Sequence, residues 1–342
     1  MLKINKQIAF LSLLIITLLI SCSENENPFS PGLEVNVKEQ LEADVAHGAL
    51  KSNGTLWTWG RNWNGQCGNG TLDSDPIPKK IKDDIVAFKF RDGSAVAADI
   101  HGNIWYWGDK MIYSPPSEID ATIETPVIIS ELTDVVSIEM RASTIELLRK
   151  NGTVWRLDWN PYEPTVYIDP EKIEGLENIT AISGHLALKN DGSICLLDDS
   201  WIEPNRGGYI SDIQDVEALQ NRWKTHTIIL KTDGTVWAWG KNISGTLGDG
   251  TSNDSSVPVQ VKNLIDIIAI SANGAHCLAL KNDGTVWFWG SGIYAPQMVS
   301  DLTDVVLIYA AGAFEHLVKK NDDSYWMFTF DGLVPYQVLF GN

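Results

Sequence analysis

Short apolar runs separated by Asn-Gly or Asp-Gly recur along most of the chain. The clearest copies read Leu-Lys-Thr-Asp-Gly-Thr-Val-Trp-Ala-Trp-Gly over residues 230–240 and Leu-Lys-Asn-Asp-Gly-Thr-Val-Trp-Phe-Trp-Gly over residues 280–290. Asn-Gly or Asp-Gly between apolar runs predicts a β-hairpin, because a type I′ turn needs positive φ at both central residues. In the strand after the turn, the two tryptophans share one face and the aliphatic residues the other, so both faces need covering.

The same phrase marks seven units of about 40–50 residues, a period typical of repeat folds. Its turns are centred at positions 54, 102, 152, 192, 234, 284 and 323. A Pro-x-x-Val/Ile phrase follows in six units, at Pro78, Pro126, Pro170, Pro258, Pro296 and Pro335. The units show no amphipathic helical period, so we predict four short strands in each of them. We therefore expect an all-β, seven-bladed β-propeller over residues 33–342.

A propeller has to join its ends, whereas a solenoid, the alternative architecture, keeps them apart. The fold begins with Val-Asn-Val over residues 35–37, a copy of the later Val-Gln-Val over 259–261, and ends with Pro-Tyr-Gln-Val over 335–338. We expect residues 35–47 to pack beside residues 305–338, because open sheet edges invite aggregation.

The N-terminus has the features of a secretion signal. Two lysines precede an apolar run over residues 8–20, which is the length of a signal-peptide core and short for a membrane span. The run ends in Leu-Ile-Ser-Cys, which resembles a bacterial lipobox. We predict a signal peptide over 1–21, a lipid-bearing Cys22 and a tether over 22–32; an ordinary cleaved signal with a chance cysteine is the alternative. Ser23, rather than Asp, after the cysteine points to an outer membrane.

Charge and cysteine usage exclude several functions. The 44 acidic residues exceed the 26 basic ones, for a net charge of −18, and no basic cluster favours nucleic acid. A hydrophobic content of 44% excludes a disordered chain. Cys67, Cys195 and Cys277 replace apolar repeat residues in different units without zinc-type spacing, which predicts buried free thiols.

Residues 230–242, continuing into Gly-Thr-Leu-Gly-Asp-Gly-Thr over 245–251, resemble the repeat of the regulator-of-chromosome-condensation family. Residues 61–71 match the same element, with Cys67 in place of Leu. The resemblance covers essentially the whole chain after the tether and implies a seven-bladed propeller. Units two, three, four, six and seven lack the second, glycine-rich phrase. Cys195 replaces the first Trp of unit four, and Asp323 replaces the Gly of unit seven.

Most candidate chemistry has a structural interpretation. Five histidines precede a repeat turn by seven or eight residues, so we expect one per blade, dispersed around the ring: His47, His185, His226, His276 and His316. His101 occupies a turn. The glycine-rich phrases 65–70 and 245–250 lead into a strand, whereas a phosphate-binding loop opens a helix. We assign the paired tryptophans to the core, and we expect no metal and no cofactor.

Non-repeat aromatic residues are the better functional candidates. They fall between the Trp strand and the Pro strand, and equivalent loops of a cyclic repeat emerge on the same rim. Trp, Tyr and Arg dominate interface hot spots. The proposed partner site comprises Trp159, Tyr162, Trp201, Arg206, Tyr209 and Trp63. Packing of the longer loops by these rings remains open.

These features favour a non-enzymatic, monomeric, lipid-anchored binding module of the cell envelope, with a protein or glycan partner at its rim. One alternative is an inhibitor of a secreted enzyme. A second is the guanine-nucleotide exchange factor that the family resemblance implies, although a secreted lipoprotein does not meet a cytosolic Ran-like GTPase. A third is a polysaccharide-active enzyme, for which no convergent acid/base or nucleophile set is evident.

Replacing the lipobox cysteine tests the anchor. Cys22→Ala removes the acylated thiol, so we expect unlipidated precursor to accumulate with little or no mature-sized product. Metabolic labelling with a fatty acid and membrane fractionation measure this. Unchanged acylation and fractionation of the variant contradict the lipoprotein assignment.

Overall fold

The computed structural model describes residues 37–43, 46–109, 122–141, 144–158, 168–197, 213–222, 226–311, 315–329 and 334–340. The chain divides into a unit Met1–Val35 and a unit Asn36–Asn342, and every described residue belongs to the second. Every regular element within these ranges is a strand, and they contain no helix long and apolar enough to cross a membrane.

The strands form seven antiparallel sheets in chain order, one per blade. Blades 1 to 4 contain β1 (Gln40–Ala43), β2 (Ala46–Leu50), β3 (Leu56–Gly60) and β4 (Asp75–Lys82); β5 (Ile85–Arg91), β6 (Ser94–Asp99), β7 (Asn103–Gly108) and β8 (Ile123–Glu131); β9 (Val135–Met140), β10 (Thr144–Arg149), β11 (Val154–Asp158) and β12 (Glu171–Lys172); and β13 (Ile179–Ser183), β14 (Leu186–Lys189) and β15 (Ile194–Leu196). Blades 5 to 7 contain β16 (Val216–Arg222), β17 (His226–Lys231), β18 (Val236–Gly240) and β19 (Ser255–Gln260); β20 (Ile267–Asn273), β21 (His276–Lys281), β22 (Val286–Gly290) and β23 (Ile293–Met298); and β24 (Val305–Tyr309), β25 (Glu315–Lys320), β26 (Tyr325–Thr329) and β27 (Tyr336–Val338).

The first strand of each blade is the innermost. Each of these strands contacts the first strand of the next blade, and β24 of blade 7 contacts β1 of blade 1. The seven inner strands therefore form a closed ring, as a propeller requires. The predicted all-β, seven-bladed architecture is confirmed, and the solenoid alternative is wrong.

Side chains of the first and last blades close the ring. Tyr309 Oη donates to Glu42 Oε2 at 2.7 Å, and Lys319 Nζ bonds both carboxylate oxygens of Glu39 at 2.7 and 2.6 Å. An apolar cluster joins Trp59 of blade 1 to blade 7, and the Phe340 ring lies 5.8 Å from the Trp59 ring. The described part of the predicted contact between residues 35–47 and 305–338 is confirmed.

A hydrogen-bond relay explains the repeated Asx-Gly-Thr-x-Trp phrase. In blade 1, Asn53 Oδ1 accepts the backbone N–H of Thr55 at 3.1 Å and its hydroxyl at 2.8 Å. The Thr55 oxygen then accepts Nε1–H of Trp57 at 3.1 Å. The same relay recurs in blades 3, 5 and 7. The turn residue therefore fixes both the hairpin and the first Trp of the strand that follows.

In five blades the turn glycine also joins the blade to the next one. Gly234 has φ +79°, and a Cβ there would lie 3.3 Å from the backbone of Asp266. Its carbonyl accepts the N–H of Ile267, the first residue of the next inner strand, at 3.2 Å. Equivalent bonds leave the turns of blades 1, 3, 4 and 6. Only Gly combines the positive φ with this close approach without strain.

The two tryptophans of each pair have different environments. The second one is buried: Trp239 is 1% exposed, and Trp59, Trp107 and Trp289 are similarly covered. The first one, such as Trp237, is half-buried, and Lys231 Nζ lies 5.9 Å from its ring centroid. The prediction that both belong to the core is therefore wrong for the first position, where the ring spans the blade surface and packs beneath a cationic side chain.

The Pro-x-x-Val/Ile phrase marks the outermost strand of a blade. Prolines lie within β4, β8, β19 and β23 and directly before β12 and β27. A proline has no N–H to offer, so it blocks pairing of the exposed edge with another chain. Blade 4, whose repeat lacks this phrase, has three strands among the described residues.

The histidines lie at blade interfaces. His226 Nε2 lies 3.2 Å from Cys277 Sγ of the next blade, and His276 Nε2 lies 2.6 Å from Ser291 Oγ. The rings of His276 and His316, from adjacent blades, are 5.2 Å apart. The prediction of one histidine per blade holds for this pair, and the structure adds that their rings are in contact across the blade interface. Burial lowers the pKa of His226 to about 4, and burial together with His276 lowers that of His316 to about 3.

Substitution of the two positions of one Trp pair tests the core assignment. Trp239→Ala removes a fully buried ring, so we expect a loss of about 3–5 kcal/mol in the free energy of unfolding. Trp237→Ala removes a ring that is only half-buried, so it should lower the free energy of unfolding by only about 1–2 kcal/mol. Denaturant unfolding of the two variants measures both. Equal losses contradict the division between a buried and a half-buried position.

Acid should destabilise the protein through the buried histidines. Their folded pKa values lie below the unfolded value of about 6.5, so the unfolded state binds more protons as the pH falls from about 6.5 towards 4. Their contribution to stability is complete above this window and is lost within it. His316→Thr introduces the residue that blade 5 has in the equivalent register, Thr227. This variant should reduce the slope of the free energy of unfolding against pH, between about pH 4 and 6.5, by about 1.4 kcal/mol per pH unit.

Urea unfolding at several pH values measures this slope. The control is His101→Asn, at an exposed turn position, which should leave the slope unchanged. An unchanged slope in His316→Thr contradicts the assignment.

Candidate functional site

One end of the propeller carries the candidate site. Neighbouring strands are antiparallel, so the connections from first to second strand and from third to fourth strand leave every blade at the same end. We call this the loop end. The Asx-Gly turns and the links between blades lie at the opposite end, the turn end.

Five of the six predicted partner residues lie outside the described residues. Trp159 and Tyr162 follow the third strand of blade 3, and Trp201, Arg206 and Tyr209 follow that of blade 4. Cys22 also lies outside the described ranges. The strands that precede the five partner residues in the chain, β11 and β15, end at the loop end. Trp63 is the one predicted partner residue whose surroundings the structure describes.

Trp63 is an exposed aromatic residue in the long connection of blade 1. Its side chain is 67% exposed. The Arg61 guanidinium carbon lies over the ring, 4.7 Å from its centroid. This cation–π contact covers one face of the indole and leaves the rest of the ring to solvent.

A buried asparagine fixes the loop that carries Trp63. Asn62 is 0% exposed. Its Nδ2 donates to Asn69 Oδ1 at 3.1 Å and to the Thr71 carbonyl at 2.7 Å, and its Oδ1 accepts the N–H of Cys67 at 2.8 Å. These bonds join both limbs of the loop, so the residue beside Asn62 is held on a fixed backbone.

The next blade clamps the same loop. Trp107 of blade 2 donates Nε1–H to the Gln66 carbonyl at 2.7 Å. Gly68 has φ +69°, and a Cβ there would lie 2.7 Å from Trp107 Nε1. In blade 6, Trp289 makes the equivalent bond to the Thr246 carbonyl at 2.9 Å. The glycine-rich phrase is therefore a docking element between blades, and the prediction that its glycines are turn residues is confirmed.

The connection over 241–254 in blade 5 is a structural twin of the connection over 61–74. Asn242 is 0% exposed and makes the same bonds across its loop. Ile243, which stands where blade 1 has Trp63, is 83% exposed. Lys241 Nζ bonds Asp254 Oδ2 at 2.6 Å. This bond and the N–H of Asn242 hold the pKa of Asp254 below its ordinary value.

Nucleophile and metal chemistry finds little support in the described part of the chain. Cys67 and Cys277 are buried free thiols, whereas Cys195 is half-buried. Burial raises the pKa of Cys67 to about 12 and that of Cys277 well above its ordinary value, so neither forms a reactive thiolate at neutral pH. The described ranges bring together no group of three or more His, Cys, Asp or Glu side chains placed for a metal ion.

Sequence reasoning missed the role of Asn62 and the contribution of Arg61. A signal for the first was present, since both glycine-rich phrases begin with a basic residue and an Asn before the variable position. Nothing in the sequence showed that the basic residue is paired in one loop and lies over an aromatic ring in the other.

Comparisons with known proteins agree with this fold. The model of the regulator of chromosome condensation (RCC1) repeat matches residues 53–91 and 233–280, and a second model of this repeat matches 267–294. The ultraviolet-B receptor UVR8 of Arabidopsis thaliana is 26% identical over 71% of this chain and 61% of its own length. The protein RCC2 homolog of Danio rerio is 32% identical over 62% of this chain and 43% of its own length. The chain thus spans about three fifths of UVR8 and less than half of the RCC2 homolog.

Among solved structures, PorZ of Porphyromonas gingivalis, described as an essential bacterial surface component of the type-IX secretion system, superposes with a TM-score of 0.55 at 11% identity. The superposition covers 90% of this chain and 39% of that one, and at this identity it shows the fold alone. The repeat matches, the seven antiparallel sheets and the closed inner ring agree. The chain is a seven-bladed β-propeller whose residues 53–91 and 233–294 match the RCC1 repeat.

Proposed function

We propose that this protein is a non-enzymatic binding module of the cell envelope, held by a lipid on Cys22, which recognises a protein partner through its loop end. The single observation that carries the binding role is Trp63. A ring that is 67% exposed on a loop held by a buried Asn and by the next blade is a preformed contact point. Exposed aromatic side chains on fixed backbones are typical of interface hot spots.

The arrangement of the blades supports this choice of end. The turn end uses its backbone groups to join blades, through bonds such as Ile267 N–H to Gly234 carbonyl. The connections at the loop end vary from Ser291 and Gly292 alone in blade 6 to the whole of 241–254 in blade 5. Variable connections on a rigid scaffold commonly carry binding residues.

Anchoring is a proposal from the sequence. The lipobox ending at Cys22 and the polar tether after it suit a propeller held at a membrane surface, and Ser23 favours the outer membrane. An envelope location also argues against an exchange factor for a cytosolic GTPase. Trp159, Tyr162, Trp201, Arg206 and Tyr209 enlarge the proposed contact area beyond Trp63.

Capture of envelope proteins by the full-length protein in mild detergent tests the binding role. Partners that bind the wild type are identified by mass spectrometry, and their affinity is then measured for variants. We expect Trp63→Ala and Trp201→Ala to weaken binding by about thirtyfold, the effect of losing a hot-spot aromatic. Thermal melting should change little, because both changes are at loop positions.

Ile265→Ala is the matched control, since this apolar side chain is 61% exposed in a link at the turn end. It should leave the affinity unchanged. Affinity that falls only in the control, or in none of the three variants, contradicts recognition through the loop end.

A further inference from the structure

Arg61 combines an uncompensated charge with an exposed aromatic ring. Its guanidinium lies 4.7 Å from the Trp63 centroid, and no carboxylate in the described ranges forms an ion pair with it. The chain has a net charge of −18, with 44 acidic residues against 26 basic ones. An exposed arginine that lies on a Trp and has no counter-ion is therefore available to a ligand.

The twin loop shows what blade 1 lacks. In blade 5, Asp254 accepts the N–H of Asn242 at 2.8 Å and also neutralises Lys241 at 2.6 Å. In blade 1, Ser74 Oγ accepts the N–H of Asn62 at 3.1 Å. The backbone bond is kept, while the carboxylate that would neutralise Arg61 is absent from this position.

We propose that Arg61 and Trp63 bind a segment of a partner protein that presents a carboxylate side chain beside an apolar one. This inference rests on the proposed function and names the chemistry of its partner at blade 1. The partner's carboxylate supplies the counter-ion that Arg61 lacks within the protein. The planar guanidinium can donate two parallel N–H bonds to this carboxylate. The open part of the Trp63 ring covers the apolar side chain.

Two features favour a protein segment over an acidic glycan. First, the polar side chains beside Trp63 are engaged within the protein: Gln66 Oε1 accepts the N–H of Asn64 at 2.9 Å, and Asn64 Nδ2 lies 3.5 Å from Asp109 Oδ2 of blade 2. A sugar ring stacked on Trp63 would need such groups for its hydroxyls. Second, the twin loop presents Ile243, an aliphatic side chain suited to protein contacts.

The loop is already ordered for this role. Asn62 and Trp107 fix its two limbs, so binding at Arg61 and Trp63 orders little further backbone. The cation–π contact also restricts the Arg61 side chain before the partner arrives. Both effects lower the entropic cost of association.

A substitution that copies a residue of the blade 5 connection into blade 1 tests the proposal. Ser74→Asp installs the counter-ion that blade 5 has, so Arg61 becomes paired internally while the bond to the Asn62 N–H is kept. The probe is the blocked peptide acetyl-Asp-Phe-Glu-Phe-Asp-amide, titrated by calorimetry into the full-length protein in mild detergent. We expect Ser74→Asp to weaken peptide binding at least about tenfold, as loss of a charge-assisted bond does.

Two further variants and a second peptide complete the test. Trp63→Ala should weaken binding about thirtyfold, and the neutral peptide with Asn and Gln at the acidic positions should bind the wild type at least about tenfold more weakly. Ile243→Ala in the twin loop is the matched control and should bind like the wild type. All variants should melt close to the wild-type temperature, since each change is at an exposed position.

Several outcomes overturn the proposal. One is no peptide binding to the wild type at about 1 mM, the range of a weak single contact. Another is equal binding by Ser74→Asp and the wild type. Binding of trigalacturonate in place of the peptide, sensitive to the same variants, assigns the site to an acidic glycan instead. If an envelope partner binds Trp201-dependently but equally well to Ser74→Asp and Trp63→Ala, the carboxylate inference fails while the proposed function stands.

Discussion

Each blade of this protein has apolar side chains on both faces, and each face is covered by a neighbouring blade. A row of such blades that stayed open would leave two large apolar surfaces in water. The contact between blades 7 and 1 removes both surfaces at once, through the cluster around Trp59 and through the bond from Tyr309 to Glu42 near the inner strands. The relative positions of the blades, and so of the described connections at the loop end, depend on that closure.

Much of the fold is legible in the sequence, because the repeated phrase encodes both a turn and its neighbours. Gly234 predicts the hairpin through its positive φ, and the structure adds that its carbonyl also holds the next blade. The different burial of Trp237 and Trp239 was not predictable from their spacing. Both rings share one strand face, and only the lateral position of the preceding blade decides which of them it covers.

The candidate site was less predictable than the fold. Trp63 was predicted as a partner residue because it departs from the repeat, and the structure shows that its side chain is exposed. Nothing in the sequence indicated that Arg61 lies on the ring, since cation–π contacts depend on side-chain positions that no spacing rule describes. Ser74 could not be recognised from the sequence as the position of a missing carboxylate. Its equivalence to Asp254 follows only from the hydrogen bonds that both side chains accept.

The third-to-fourth connection shortens to Ser291 and Gly292 in blade 6 without loss of its four-stranded sheet. The backbone bonds at the turn end, such as that from Ile267 N–H to the Gly234 carbonyl, do not involve this connection, so they are kept when its length and composition change. This connection is therefore a position where a segment of unrelated sequence and length can be accommodated. Connections of this kind around one ring allow new recognition surfaces to evolve one blade at a time, while the scaffold that presents them keeps its stability.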